Sequence, residues 1–201
     1  MTSVTNTPHG PANVHLHPAP EPRGALVLGH GAGGGVEAPD LVAATGAAAA
    51  SGFSVALVEQ PYRVAGRRSS PPPHHLDAAW IAVVEQLAAE AFAGLPLVVG
   101  GRSAGARVAC RTAEATRAAA VLCLAFPLQP PGRKGKPPGP TRLDELDAVW
   151  VPMLVVQGER DRFGMPPPGP RREVAQVKGD HSLRSDPRAV AAAVESWLGG
   201  L

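Results

Sequence analysis

Five apolar runs of strand length divide the chain: GALVLGHG (24–31), FSVALVEQP (53–61), LPLVVGG (95–101), AAVLCLAFP (119–127) and VWVPMLVVQG (149–158). None alternates apolar with polar residues, so each strand is expected to be buried on both faces. Helical segments separate them: PDLVAATGAAAAS (39–51), LDAAWIAVVEQLAAEAF (76–92) and SAGARVACRTAEA (103–115). In the second, Leu76, Trp80, Val83, Val84 and Leu87 fall at helical spacing. A shorter strand, REVAQVKG (172–179), precedes a last helix, DPRAVAAAVESWL (186–198), with Asp186 as N-cap and Pro187 in its first position. Strands buried on both faces and alternating with helices dictate a parallel sheet covered on both sides. Ligands of such sheets sit beyond the carboxyl ends of the strands, so chemistry is expected where these runs end.

The 201 residues suit one domain with a single sizeable core. Residues 1–13 are expected to form a flexible N-terminus, frayed over 1–10, and 14–201 the single domain, with VHLH (14–17) as a short edge strand. A 44% apolar composition excludes compositional disorder. The net charge of +2, with lysine only at Lys134, Lys136 and Lys178, leaves no basic helix face for nucleic acid. Cys110 and Cys123 fall in an apolar helix and an apolar strand, the setting of buried free thiols. The first eighteen residues lack the apolar stretch of a secretory signal, and no apolar run reaches the ~18 residues of a membrane span. A soluble, cytoplasmic protein with no membrane partner is the expectation. Residues 126–142 carry six prolines and no period, and read either as a pocket rim or as a surface connector.

GRSAG, residues 101–105, lies between a strand and a helix and matches the G-x-S-x-G nucleophile elbow. Its turn is so sharp that side chains at 101 and 105 would clash, and it sets Ser103 at a helix N-terminus, where amides favour negative charge. A serine needs a base. His181 in VKGDHSLRSD follows the last strand, and Asp161 in VVQGERDRFG follows the strand before it. The order Ser103, Asp161, His181 distinguishes one serine-hydrolase solution from the others. Glu159 is a second candidate for the acid, Asp180 is expected to shape the histidine loop, and His74 and His75 read as a solvated helix entry. His15 and His17 share a strand face without a third ligand, so no metal and no cofactor is expected.

Backbone donors for an oxyanion are expected from Ala104, directly after the serine, and from HGAGGG (30–35), where Ala32 leads and Gly33 follows. Gly29, Gly31 and Gly34, with Glu59 ending the next strand, also spell a dinucleotide-binding fingerprint. Against that rival, the helix is delayed to about Pro39, and the elbow, Asp161 and His181 are left without a role. Gly33, Arg63 and Arg102 are candidate substrate contacts, the arginines for an anionic group. Small residues around the elbow suit a shallow site for short or exposed acyl groups.

Together these residues resemble the α/β-hydrolase superfamily from about residue 14 onward. The small cap-less branch related to dienelactone hydrolases fits the length. A narrower resemblance is to the hydrolase-like domain shared by the testis-expressed protein and the third subunit of the nonspecific-lethal chromatin complex. It rests on LGHGAGG, EQPYR, GGRSAGARVA, FPLQPPG, VQGERDRFG and GDHS. The resemblance implies the α/β-hydrolase fold, a mostly parallel sheet of about six or seven strands flanked by helices on both faces, without a cap domain. It also implies an esterase-like serine hydrolase that cleaves an ester, thioester or similar acyl bond of a small molecule through an acyl-enzyme. Ala104 stands where methionine is common in that family, but the contact expected there is a backbone one. A catalytically silent, hydrolase-shaped interaction module is the alternative.

Overall fold

The computed structural model describes residues 1–132 and 135–201. Six parallel strands form the body of one sheet: β3 (Gly24–Gly29), β4 (Phe53–Glu59), β5 (Leu97–Arg102), β6 (Ala120–Leu124), β7 (Met153–Gly158) and β8 (Arg172–Val177). An antiparallel hairpin, β1 (Thr2–Thr7) and β2 (Gly10–His17), extends it beyond β4, giving the order β1-β2-β4-β3-β5-β6-β7-β8. Every residue of β3, β6 and β7 is buried, as their unbroken apolar runs require. The fold is that of the α/β hydrolases.

Helices α1 (Pro39–Ala50) and α6 (Pro187–Gly199) cover one face of the sheet. The other face carries α3 (Pro73–Ala89), α4 (Ala104–Thr112) and the short α5 (Leu143–Asp147). The period of two in each strand divides its residues between the layers. Leu26 and Leu28 pack with Leu41, Ala44, Val190, Val194 and Leu198. Val27 and Val99 pack with Trp80, Val83, Val84, Val108 and Ala109. Asp186 caps α6 by accepting a hydrogen bond from the Ala189 amide at 2.9 Å, and Pro187 follows in the first turn. Cys110 and Cys123 are buried free thiols with their Sγ atoms 3.5 Å apart.

Three expectations change. The sheet has eight strands rather than about six or seven. Residues 2–7 are a strand rather than a frayed end, and β2 lies inside the sheet rather than at its edge. Pairing with β2 makes β1 a strand, because an outermost strand buries little and so shows no apolar period. Gly10, at φ 107°, allows the tight reversal between the two. The short helices α2 (Pro61–Val64) and α5 have no counterpart in the sequence pattern, being too short to show a helical period.

β3 has β4 on one side and β5 on the other, so the chain leaves β3 and β5 for helices on opposite faces. This divergence opens a crevice at their carboxyl ends, the switch point of a doubly wound sheet. Both GRSAG and HGAGGG begin there. Among the described residues no helix is long and apolar enough to cross a membrane.

Burial separates two of the tryptophans. Trp80 is 1% exposed and Trp150 57%. Trp80→Ala is expected to lower unfolding free energy by about 3–5 kcal/mol, and Trp150→Ala by no more than about 0.5 kcal/mol. Urea unfolding of both variants checks this; equal losses would contradict the packing described.

Candidate active site

Ser103 joins β5 to α4 with φ 52° and ψ −105°, a backbone conformation that L-residues rarely adopt. Its amide donates to the Leu124 carbonyl at 2.9 Å, which anchors the turn to β6. The flanking glycines are required by close contact with the end of β3. A Cβ at Gly101 would lie 2.5 Å from the Gly29 carbonyl oxygen. One at Gly105 would strike the same peptide, 2.6 Å from the Gly29 carbonyl carbon, and come 2.9 Å from the His30 carbonyl oxygen.

The structure brings Ser103, His181 and Asp161 together. His181 Nε2 is 2.9 Å from Ser103 Oγ, and its Nδ1 is 2.7 Å from Asp161 Oδ2. The Asp161 side chain is fully buried, while that of His181 is 20% exposed. Asp161 Oδ1 accepts from the Phe163 amide at 2.9 Å, and Oδ2 also accepts from Gln157 Nε2 at 2.8 Å. An ionised carboxylate only accepts, so the imidazole proton sits on Nδ1 and the Nε2 lone pair faces the serine. Glu159 points elsewhere: it is 43% exposed and lies beside Arg160. Asp180 holds the histidine loop, with Oδ1 accepting from the Ser182 amide at 2.9 Å and the Ser182 hydroxyl at 2.6 Å. These bonds hold its carboxyl below the usual aspartate range.

Arg102 braces these loops and is not a free contact for substrate. Its Nη2 donates to the His181 carbonyl at 3.1 Å, and its Nε lies 2.9 Å from Asp40 Oδ2 in a close but poorly aligned ion pair. Burial raises the Asp40 pKa, against the pull of the Arg102 charge. Arg63 lies on α2, with Nη1 reaching the Arg67 carbonyl at 3.4 Å and Nε buried without a partner. None of its hydrogen bonds reaches the Ser103–His181–Asp161 chain.

Three residues outside the expected set hold the glycine loop. The Gln60 amide donates to His30 Nε2 at 3.1 Å, so His30 Nδ1 carries the proton and donates to the Gly31 carbonyl at 2.8 Å. In a trans peptide the N–H points opposite to the C=O, so holding the Gly31 carbonyl also aims the Ala32 amide. The Tyr62 hydroxyl donates to the Ala32 carbonyl at 2.8 Å, which fixes the next peptide and the Gly33 amide in the same way. The Ala32 amide has no backbone acceptor among the described residues. Ala104 opens α4, where amides have no partner within the helix. Nothing lies within 4 Å of a Cβ built on Gly33. Of the fingerprint glycines, Gly29 and Gly31 lie against the elbow; α1 opens only at Pro39, and Glu59 accepts from Asn13 Nδ2 at 2.9 Å.

The proline-rich segment, apart from residues 133 and 134, which are not described, lies against the loop that carries Asp161. Gln129 N–H donates to the Phe163 carbonyl at 2.8 Å, and Gln157 Nε2 approaches the carbonyls of Phe126 at 3.1 Å and Gly164 at 2.9 Å. The Phe163 ring centre lies 4.4 Å from that of His181. Among the described residues no three His, Cys, Asp or Glu side chains converge as a metal ion requires.

Comparison with known proteins agrees with this architecture. The sequence model of the Alpha/beta hydrolase domain family matches residues 22–189. No curated protein matches the chain significantly. Among solved structures, a Xanthomonas campestris a/b serine hydrolase without a lid superposes with a TM-score of 0.76 at 20% identity, covering 98% of this chain and 94% of that one. Est1E from Butyrivibrio proteoclasticus gives 0.77 at 15% identity, covering 98% and 97%. A dienelactone hydrolase from Anabaena variabilis gives 0.73 at 14% identity, covering 98% and 94%.

His30 makes the glycine loop acid-sensitive. Burial lowers its pKa from 6.5, and a second ring proton would face the Gln60 N–H donor. Below pH 6.5 the unfolded chain takes up a proton that the folded chain refuses, so stability falls as pH drops. Urea midpoints at pH 7.5 and 5.5 are expected to fall further for the wild type than for His30→Gln; equal falls would count against this.

Proposed function

Because the chain belongs to the Alpha/beta hydrolase domain family, we propose that it is a serine hydrolase that cleaves an ester, thioester or similar acyl bond. The observation that carries this reading is the continuous chain of hydrogen bonds from Ser103 through His181 to the buried Asp161, at 2.9 and 2.7 Å. Ser103 Oγ attacks the acyl carbon while His181 Nε2 takes its proton. Asp161 fixes the tautomer and stabilises the imidazolium that forms. The amides of Ala32 and Ala104 receive the oxyanion, aided by the N-terminus of α4. His181 then protonates the departing alcohol or thiol, and the acyl-enzyme is hydrolysed when His181 activates a water.

The narrower kinship with the testis-expressed and nonspecific-lethal family belongs to the same proposal; the segments behind it include the loops bearing Ser103, Asp161 and His181. Arg63, whose Nη1 makes a long 3.4 Å contact with the Arg67 carbonyl, is the guanidinium proposed for an anionic substrate group. Equal kcat/KM for neutral and carboxylate-bearing esters would remove that role.

A fluorophosphonate probe is expected to label Ser103 and to leave Ser103→Ala unlabelled, as read by peptide mass spectrometry. Turnover of an activated ester is expected to drop about 10⁴- to 10⁶-fold in Ser103→Ala or His181→Ala. A folded wild type that neither labels nor turns over would be the silent interaction module instead.

A further inference from the structure

The glycine loop and the first turn of α4 do not close completely against each other. Between them and α3 lies a niche of about 10 Å³, walled by His30, Tyr62, Leu76, Trp80, Ala104 and Val108. That volume admits one group the size of a water molecule, and the walls are almost wholly hydrocarbon. It is lined by one of the two proposed oxyanion donors and tied to the other through a single hydrogen bond. Ala104 is itself a wall, and the Ala32 peptide hangs from another wall through the 2.8 Å bond to the Tyr62 hydroxyl. A carbonyl oxygen held about 3 Å from both amides leaves its acyl carbon one bond from the group that must be housed.

Resting on the serine-hydrolase reading, we propose that this niche is the acyl subsite and that the substrates are acetyl esters. A methyl group fills the space, and longer chains meet Leu76. Beyond that residue is a separate groove of about 270 Å³, which Leu76 shares with Gln60, Tyr62, Ala79 and His75. Leu76, Tyr62 and Gln60 line both spaces and so form the partition. Tyr62 is tethered to the Ala32 carbonyl, and Gln60 Nε2 to the Leu76 carbonyl at 3.2 Å. The Leu76 side chain has no such tether and is the part whose size sets chain length.

The test compares kcat/KM for p-nitrophenyl acetate, butyrate and octanoate in the wild type, Leu76→Ala and the milder Leu76→Val, each checked for a cooperative thermal melt. Ser103 labelling by a fluorophosphonate is read in parallel. The wild type is expected to prefer acetate to octanoate by about tenfold or more. Opening the partition is expected to raise the octanoate-to-acetate ratio about tenfold in Leu76→Ala, and less but in the same direction in Leu76→Val. If Leu76→Ala does not fold, the shift in Leu76→Val decides. A wild type that takes octanoate as well as acetate, or an unchanged ratio in the folded variants, overturns the subsite and leaves the hydrolase reading standing. Absence of both hydrolysis and Ser103 labelling overturns the hydrolase reading and the subsite with it.

Discussion

Three glycines in contact hold the site together. Gly29 ends β3, its register partner Gly101 lies near the end of β5, and Gly105 sits in the first turn of α4. Any side chain at 101 or 105 would enter the Gly29 peptide, so only hydrogen at these positions lets helix and strand approach so closely. That approach sets the serine beside the loop leaving β3. It also requires the strained backbone at Ser103, a cost of about 1–3 kcal/mol that its surroundings must offset. The bond to Leu124 and the packing of α4 on β5 and β6 do so.

Around this contact, close contacts tie loops from five strands into one rim. Arg102 links the elbow to Asp40 at the start of α1 and to the histidine loop. Gln157 links the acid loop to the proline-rich segment, and Gly158 lets the histidine loop lie against the end of β7, where a Cβ would stand 2.5 Å from the Asp180 carbonyl oxygen. The buried Arg102–Asp40 pair costs desolvation, yet removing one partner would strand a charge under the active loops. The rim is therefore built from polar groups that are costly to bury singly and useful together, each fixing an atom near His181 or Ala32.

The same glycine run had two readings, and tertiary context separates them. A dinucleotide site needs a helix opening inside the glycines to face a pyrophosphate. Here the run continues to α1 at Pro39 and lies over the elbow, with Gly31 under the Arg102 guanidinium. Its peptides are oriented by His30, from within the run, and by Tyr62, from α2.

By itself the sequence determined the parallel sheet, the helix on either side and the positions of Ser103, Asp161 and His181. Strands buried on both faces must be apolar throughout, helices carry a period, and an elbow needs glycine at fixed spacing; each is a local demand and leaves a local mark. β1 left none, since its strand character comes from pairing with β2. Gln157 was legible only as a polar residue inside an apolar strand, and nothing local gave its partner in Asp161. The hydrogen bond from Asp161 to His181, the bracing role of Arg102 and the service of His30, Gln60 and Tyr62 to the glycine loop came only with the tertiary structure. Each of these depends on where a side chain meets a backbone group distant in sequence, and such pairings exist only once the sheet has brought the loops to one edge.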